Sequence, residues 1–588
     1  MWNKIKRSLI GVLLLASTAY AATPADPAKV LHAVFEADGD GFDPVRSINY
    51  YSGFIIETVF EPLLGYDYLA RPVKLVPKTA EALPEVSDGG KTYVFRLKKG
   101  IYFSPDPVFK GKRRELTAAD YVYSFKRVLD PRNRSQIASF LEGKIVGLDA
   151  LAAQAKKTGR FDYDAPVVGL QAVDRYTLKI QLTKPDYNFQ YVVAYGGLGA
   201  VAREVVEAHD GEIRPHPVGT GPYMLQQYVP HSKIVLVANP EYRGFTWDFQ
   251  AAEPGDEKLV NEMRGKKMPQ IGRVEISIIE EEQARWLAFQ DKQLDIDFLP
   301  QLAAPKVMDG SRLKPEFEQQ GIRLSRLVQA GVVFTLLNFN DPVLGGFTKE
   351  KIALRRAIIM SYDTDEEISL IRNGQAIKAQ MIFPPSVAGH DPNYRSLNQY
   401  NPELANKLLD KFGYKRGADG YRTMPDGKPL TVKIHREPAR VYQERAELWK
   451  RGLDRIGIRS DHPVSNFADN QKAAIECRLM MWGSGWNADF PDGENFLQLL
   501  YGPNSGQGNQ SCYRSPAFDA MYDQAMQLPP GPERNRLYAR MNRQMEVDGA
   551  WSVNVWRIRN YVAQPWVKGF KKHPILHAEW QYLDLEKR

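Results

Sequence analysis

Residues able to do covalent or metal chemistry are few in this chain. Its 588 residues include nine histidines and only two cysteines, Cys477 and Cys512. His573 and His577 stand four apart, but Pro574 between them argues against one helical face, so they do not read as a metal site. No HExxH, GxSxG or GxxxxGKS/T string occurs. Ser484 lies between glycines in WGSGW, at a spacing that does not make a nucleophile elbow. The glycines of VGTGPY (218–223) could cradle a phosphate only if a helix followed. An alternating, strand-like run follows instead, and a tight turn is the better reading. Asp489 stands just before the helix-like run GENFLQLL, so by residue type alone it reads as a helix cap. What remains is ion pairing and hydrogen bonding, which is the chemistry of binding. A secreted hydrolase lacks its catalytic constellation here, and no cofactor is called for.

The N-terminus carries an address. Lys4, Lys6 and Arg7 precede a short apolar run (9–16), and Ala19-Tyr20-Ala21 has the small-x-small pattern of a secretory signal cleaved after Ala21. The run is too short to span a bilayer. Ala22 is not cysteine, so a lipid anchor has no acceptor. In an exported chain, Cys477 and Cys512 read as a disulfide closing a loop of about 35 residues; the rival reading, a thiol or metal site, lacks a nearby histidine.

These residues must be positioned by a large α/β framework. Tyr93, Phe95 and Leu97 alternate, as do Leu178, Ile180 and Leu182, then Val274, Ile276 and Ile278, then Leu430, Val432 and Ile434; each set predicts a half-buried strand. Thr117 and Asp120 predict a capping box for a helix that Asp130-Pro131 ends. Further helices are expected after Thr348, and over Val441, Leu448 and Leu453 up to Gly457. The length exceeds what one core can organise, so several packed units are expected. Composition is near the globular average, and the net charge of +8 is scattered, with no basic stripe to grip nucleic acid.

Six strings, in order, carry a resemblance. KTYVFRLKKGIYF (91–103) with LTAADYVYSFKRVLDP (116–131), VGTGPY (218–223) with ANPEY (238–242), LRRAIIMSYD (354–363), GWNADF (485–490), SPAFD (515–519) and QPWVKGF (564–570) together resemble the periplasmic oligopeptide- and dipeptide-binding proteins of ABC importers, the family 5 extracellular solute-binding proteins. The resemblance spans nearly the whole chain after the signal. It implies a bilobed periplasmic-binding-protein fold of the large, three-domain type, with hinged lobes that close on an extended peptide and present it to membrane permease subunits. The receptor is expected to be monomeric, periplasmic and without catalysis. Domains are expected at 1–21 (signal), 22–67 with 219–329 and 555–588 (core of the first lobe), 68–218 (a subdomain inserted in that lobe) and 330–554 (second lobe). A cationic solute, a sugar or a metal complex is the alternative cargo.

Site residues follow from the same resemblance. Asp489 matches the family aspartate that receives a peptide's α-ammonium, which displaces the helix-cap reading. Gly485, Trp486 and Asn487 match the edge strand that pairs with the peptide backbone, and Asn49 and Tyr50, after the FDP turn (42–44), match the facing segment of the other lobe. Trp482 reads as core. The carboxylate end departs from the family: some members carry an arginine where this chain has Gly483. Arg436 and Arg440 lie in the region comparable to the missing histidine partner, and Arg557, in VWRIRNYV (555–562), is the expected cation.

Overall fold

The computed structural model describes residues 24–587 apart from 48, 136, 301 and 302. The export signal expected at 1–21 lies outside the described residues. Three larger sheets organise the chain. The first orders Asp26–Phe35, Ile271–Ile278, Lys233–Ala238 and Tyr223–Val229 side by side, with its first pair parallel and the others antiparallel. The second is an antiparallel set of Glu85–Ser87, Thr92–Arg96, Thr177–Gln181 and Leu170–Ala172. In its register Tyr93 faces Ile180 and Phe95 faces Leu178, all four buried. Period-two alternation has turned one face of each strand inward.

Helix Ala118–Leu129 packs on that second sheet and begins with the capping box of Thr117 and Asp120. Its Arg127 donates twice to Asp43, at 3.1 and 2.8 Å, with both residues buried. This clamps the FDP turn leading into helix Tyr50–Val59. Ile55, Val59 and Phe60 from that helix share one continuous core with Phe95 and Tyr121. The VGTGPY loop crosses the end of the same helix. A Cβ at Gly219 would lie 2.1 Å from the Val59 carbonyl oxygen, and one at Gly221 would lie 2.2 Å from that of Thr58. Close backbone approach, not phosphate binding, is what those glycines permit.

The third sheet joins the lobes. Its long strand Trp551–Ala563 pairs through its C-terminal half with Arg323–Val328 and Ile296–Phe298, beside the first sheet. Through its N-terminal half it pairs with Gly331–Leu337 and Ala376–Lys378, in the second lobe. Gly331–Leu337 is buried along its whole length and pairs on its other side with Met481–Asn487. Thr431–His435 and Arg459–Asp461 complete the order. The chain therefore passes between lobes on two neighbouring antiparallel segments, tied where the Gln329 N–H donates to the Arg557 carbonyl at 2.9 Å.

Segments far apart in the chain also meet at Asp492. Asn188 donates to Asp492 at 3.1 Å and accepts from Arg534 at 3.2 Å, while Arg534 also pairs directly with Asp492. The Tyr538 hydroxyl donates to Asp492 at 2.7 Å, and Tyr191 stacks on Phe490 at 5.9 Å. Cys477 and Cys512 are joined by a disulfide that closes a 35-residue span carrying Met481–Asn487 and Asp489.

Two stability predictions follow from these contacts. Asp492→Ala leaves Arg534 buried without its anion, and chemical denaturation should show a loss of roughly 3–5 kcal/mol. Replacing both cysteines by serine should cost about 3–4 kcal/mol, as expected from the length of the loop released, and non-reducing peptide mapping should recover the two cysteines joined in the native protein.

Candidate functional site

The site begins with a strand edge. Met481–Asn487 is paired along its length with Gly331–Leu337, but on its other side Thr431–His435 reaches only Met481 and Trp482. Residues 483–487 thus present an unpaired edge. The Ala488 N–H donates to the Ala330 carbonyl at 2.7 Å, which sets the alternation of an antiparallel ladder. Trp486 and Ser484 turn their amide groups to the partner strand; Asn487, Gly485 and Gly483 turn theirs to the open edge.

Asp489 stands just past the end of this edge. Asp489 does not cap the following helix, Glu494–Leu497: its N-cap is Gly493, preceded by Asp492, whose carboxylate accepts the Glu494 N–H at 3.0 Å. Asp489 is held by Asn495: the Asn495 amide donates to Asp489 Oδ2 at 2.9 Å, and its oxygen accepts from the Asp489 N–H at 3.0 Å and from the Trp486 indole at 2.8 Å. Asn495 is fully buried. No cation lies within ion-pair distance of Asp489 among the described residues. Burial pushes its carboxyl above the ordinary carboxylate value, and the Asn495 hydrogen bond only partly opposes this. A partly buried carboxylate, oriented but not neutralised, is suited to receive a cation.

The carboxylate faces a cavity of about 500 Å³ between the lobes, bordered by Tyr66, Tyr195 and Gly196 of the first lobe and by Asn487 and Asp489 of the second. Of the other ionised groups on its walls some are paired, while Lys78, Lys98 and Arg559 have no acidic side chain within ion-pair distance among the described residues. His577 Nδ1 lies 2.6 Å from Glu57, and Arg243 holds Glu61 at 2.7 and 2.9 Å. Tyr50 is half exposed and borders this cavity together with Asn487. Asn49 is engaged differently from expectation: its side chain accepts the Tyr51 N–H at 2.8 Å and caps helix Tyr50–Val59. Trp482 is core, with its indole on Glu437 at 3.0 Å.

Beside the same edge the charge reverses. Arg557 donates to Asn487 Oδ1 at 3.1 Å. Burial, with Arg559 and Arg372 nearby, lowers its pKa to about 9. Arg372, Arg445, Arg557 and Arg559 all border a third cavity, of about 340 Å³, beside Gly483 and Gly485. A Cβ at Gly483 would lie 3.4 Å from Nη1 of Arg445. The cation missing from position 483 is thus present there from helix Arg440–Arg455. Arg440, at the start of that helix, is exposed and pairs with Glu444 instead. Arg445, Arg559 and Asn495 escape a sequence reading because strands and helices far apart in the chain bring them to the edge. Among the described residues no group of three or more histidine, cysteine or acidic side chains could hold a metal ion.

The model of the bacterial extracellular solute-binding proteins, family 5, matches residues 74–508. Heme-binding protein A of Haemophilus influenzae is 25% identical over 504 residues, covering 85% of this chain and 82% of its own. The dipeptide-binding protein of Escherichia coli is 24% identical over 546 residues, covering 90% and 89%. Among solved structures, the ABC transporter-associated periplasmic binding protein DppA from Helicobacter pylori, in complex with the peptide STSA, superposes with a TM-score of 0.70 at 22% identity, over 95% of this chain and 98% of that one. The chain belongs to the family 5 extracellular solute-binding proteins, and it is a solute receptor rather than an enzyme.

If Asp489 takes a ligand ammonium, protonating it removes the partner while the ligand stays charged. Because its pKa is raised, affinity for an amine ligand should fall with decreasing pH from above the ordinary carboxylate range. Calorimetry across that range should show the decline in the native protein and its absence in Asp489→Ala.

Proposed function

We propose that this protein is a periplasmic receptor for short peptides, acting as a single chain that closes on its cargo and delivers it to the permease of an ABC importer. The observation that carries the reading is the open edge 483–487, with the unneutralised carboxylate of Asp489 just past one end, and with Arg557, which has no acidic partner, and Arg445, which shares Glu367 with Arg372, bordering the cavity beside it. A zwitterionic, extended ligand carries the complementary charges. Its ammonium meets Asp489, its backbone adds to Gly485 and Asn487 as an extra strand, and its carboxylate meets Arg557 and Arg445. Main-chain pairing gives affinity without reading side chains. From Asn487 to Gly483 the edge is roughly 13 Å long, room for about two to four residues. Asn49 would act through helix Tyr50–Val59, by holding Tyr50 at the facing wall. Residues 1–21 are the removed export signal in this reading. The first lobe comprises 22–67, 219–329 and 555–588 with 68–218 inserted, and 330–554 forms the second.

A ligand touching both walls binds the closed state better than the open one and shifts the population toward closure. Short unblocked peptides of different sequence should lower the radius of gyration measured by small-angle scattering. N-acetylation of the peptide, or Asp489→Ala, should weaken binding by roughly 3–5 kcal/mol through loss of one partner of a buried pair. Amidating the carboxyl end should weaken it as well, and Arg557→Ala should erase that difference. Mass spectrometry of material released by denaturing the purified protein should find peptides. Recovery of haem, a sugar or another metal complex, with no peptide from a broad library inducing closure, would replace the peptide cargo and leave the receptor fold standing.

A further inference from the structure

A second cavity, of about 330 Å³, opens beside the first and shares Tyr50, Asn487 and Arg559 with it. Its walls are aromatic and include Tyr51, Phe54, Phe298 and Trp580. Asp297 also borders it, from the middle of the short strand Ile296–Phe298, where it lies opposite Val562 in the register. This carboxylate is 3% exposed, and its Oδ2 is buried with no hydrogen-bond partner among the described residues. The cation that acts on it, Arg285, lies 3.2 Å from Glu36 and donates through Nη1 to the carbonyls of Ile279 and Glu280 at 3.0 and 2.9 Å, while its Nε has no hydrogen-bond partner among the described residues. Burial, reinforced by Glu36 and Glu282 and opposed by Arg285, raises the Asp297 carboxyl to about 7.

A buried carboxylate with an orphaned oxygen weakens a fold unless something completes it. The sheet does not need it, because an apolar side chain opposite Val562 would serve as well. The other charged groups on the cavity wall have partners or other duties. Lys572 pairs with Glu579 at 2.6 Å, Arg559 is turned over the Phe298 ring at 4.8 Å, and Arg557 is on Asn487. Asp297 alone combines depth, an orphaned oxygen and an apolar approach lined by rings.

We propose that this cavity receives a side chain of the bound ligand with an apolar stem and a cationic tip, a lysine or arginine, and that Asp297 is its partner. The inference rests on the peptide reading above and adds a specificity to it. Aromatic walls cover the methylene stem and offer their faces to the cation. The carboxylate completes a charge-assisted hydrogen bond that no group of the protein makes. Because Asn487 borders both cavities and lies two residues from Asp489, the side chain belongs to the second or third residue of a peptide whose amine is held by Asp489.

Calorimetry with Ala-Lys-Ala, Ala-Ala-Lys, their norleucine counterparts and trialanine tests this. In the native protein one of the lysine peptides should bind at least about tenfold more tightly than its norleucine counterpart. Asp297→Asn should bring that ratio to near one, with thermal unfolding reporting that the variant folds. Equal or tighter binding of norleucine at both positions in the native protein overturns the assignment without any variant, as does a lysine preference unchanged in Asp297→Asn. If trialanine binds through a free amine while lysine brings no advantage, only the Asp297 assignment fails. If no peptide binds at all, the peptide reading fails and this inference falls with it.

Discussion

The strand Trp551–Ala563 is the constraint on which the rest depends. One half of it is hydrogen-bonded into the first lobe and the other half into the second. The lobes therefore share a backbone ladder and cannot separate without breaking it. A bulge between Val333 and Phe334 interrupts the register on the second-lobe side, and bulges are where strands bend. Arg557 and Arg559 sit on this same strand, between the two halves. The cations of the cleft are thus placed by the element that links its walls, and movement of the lobes carries them relative to Asp489.

The cleft holds paired charges beside unpaired ones. Glu57 has His577, Glu61 has Arg243 and Lys572 has Glu579. Asp489 has only a neutral amide, and Arg557 only the oxygen of Asn487. The raised carboxyl and the lowered guanidinium have the same origin: burial disfavours a charge that the protein does not balance. Two such groups of opposite sign, both beside one open strand edge, leave an electrostatic demand that a zwitterionic guest would satisfy.

Supports around the edge keep this arrangement in place before any ligand arrives. Asn495 ties the Trp486 indole to both the backbone and the carboxylate of Asp489, so three parts of GWNADF move as one. The disulfide closes the span in which they lie. At the front of the cleft Asp492 accepts from Asn188 of the opposite lobe while pairing with Arg534, so contact between the lobes completes a buried network. Fixing a site in its bound geometry lowers the ordering cost of binding.

The amino-acid sequence by itself determined the local elements and the family. Period-two alternation marked Thr92–Arg96 and Thr177–Gln181, and the Thr117 and Asp120 pair marked the start of Ala118–Leu129, because strand pleat and helix capping are set by neighbours in the chain. The motif order identified the fold class and pointed to Asp489, Asn487 and Arg557, whose surroundings only the folded chain could supply. The tertiary structure alone decided that Asp489 is held by Asn495 rather than capping the following helix, that Asn49 is itself a cap, and that Arg445 stands where Gly483 leaves room. It alone put Asp297 at the wall of a second cavity. The physical reason is range. Capping and alternation act over a few residues, whereas burial, charge balance and the reach of an arginine depend on segments far apart in the chain, and no local pattern encodes which of them will meet.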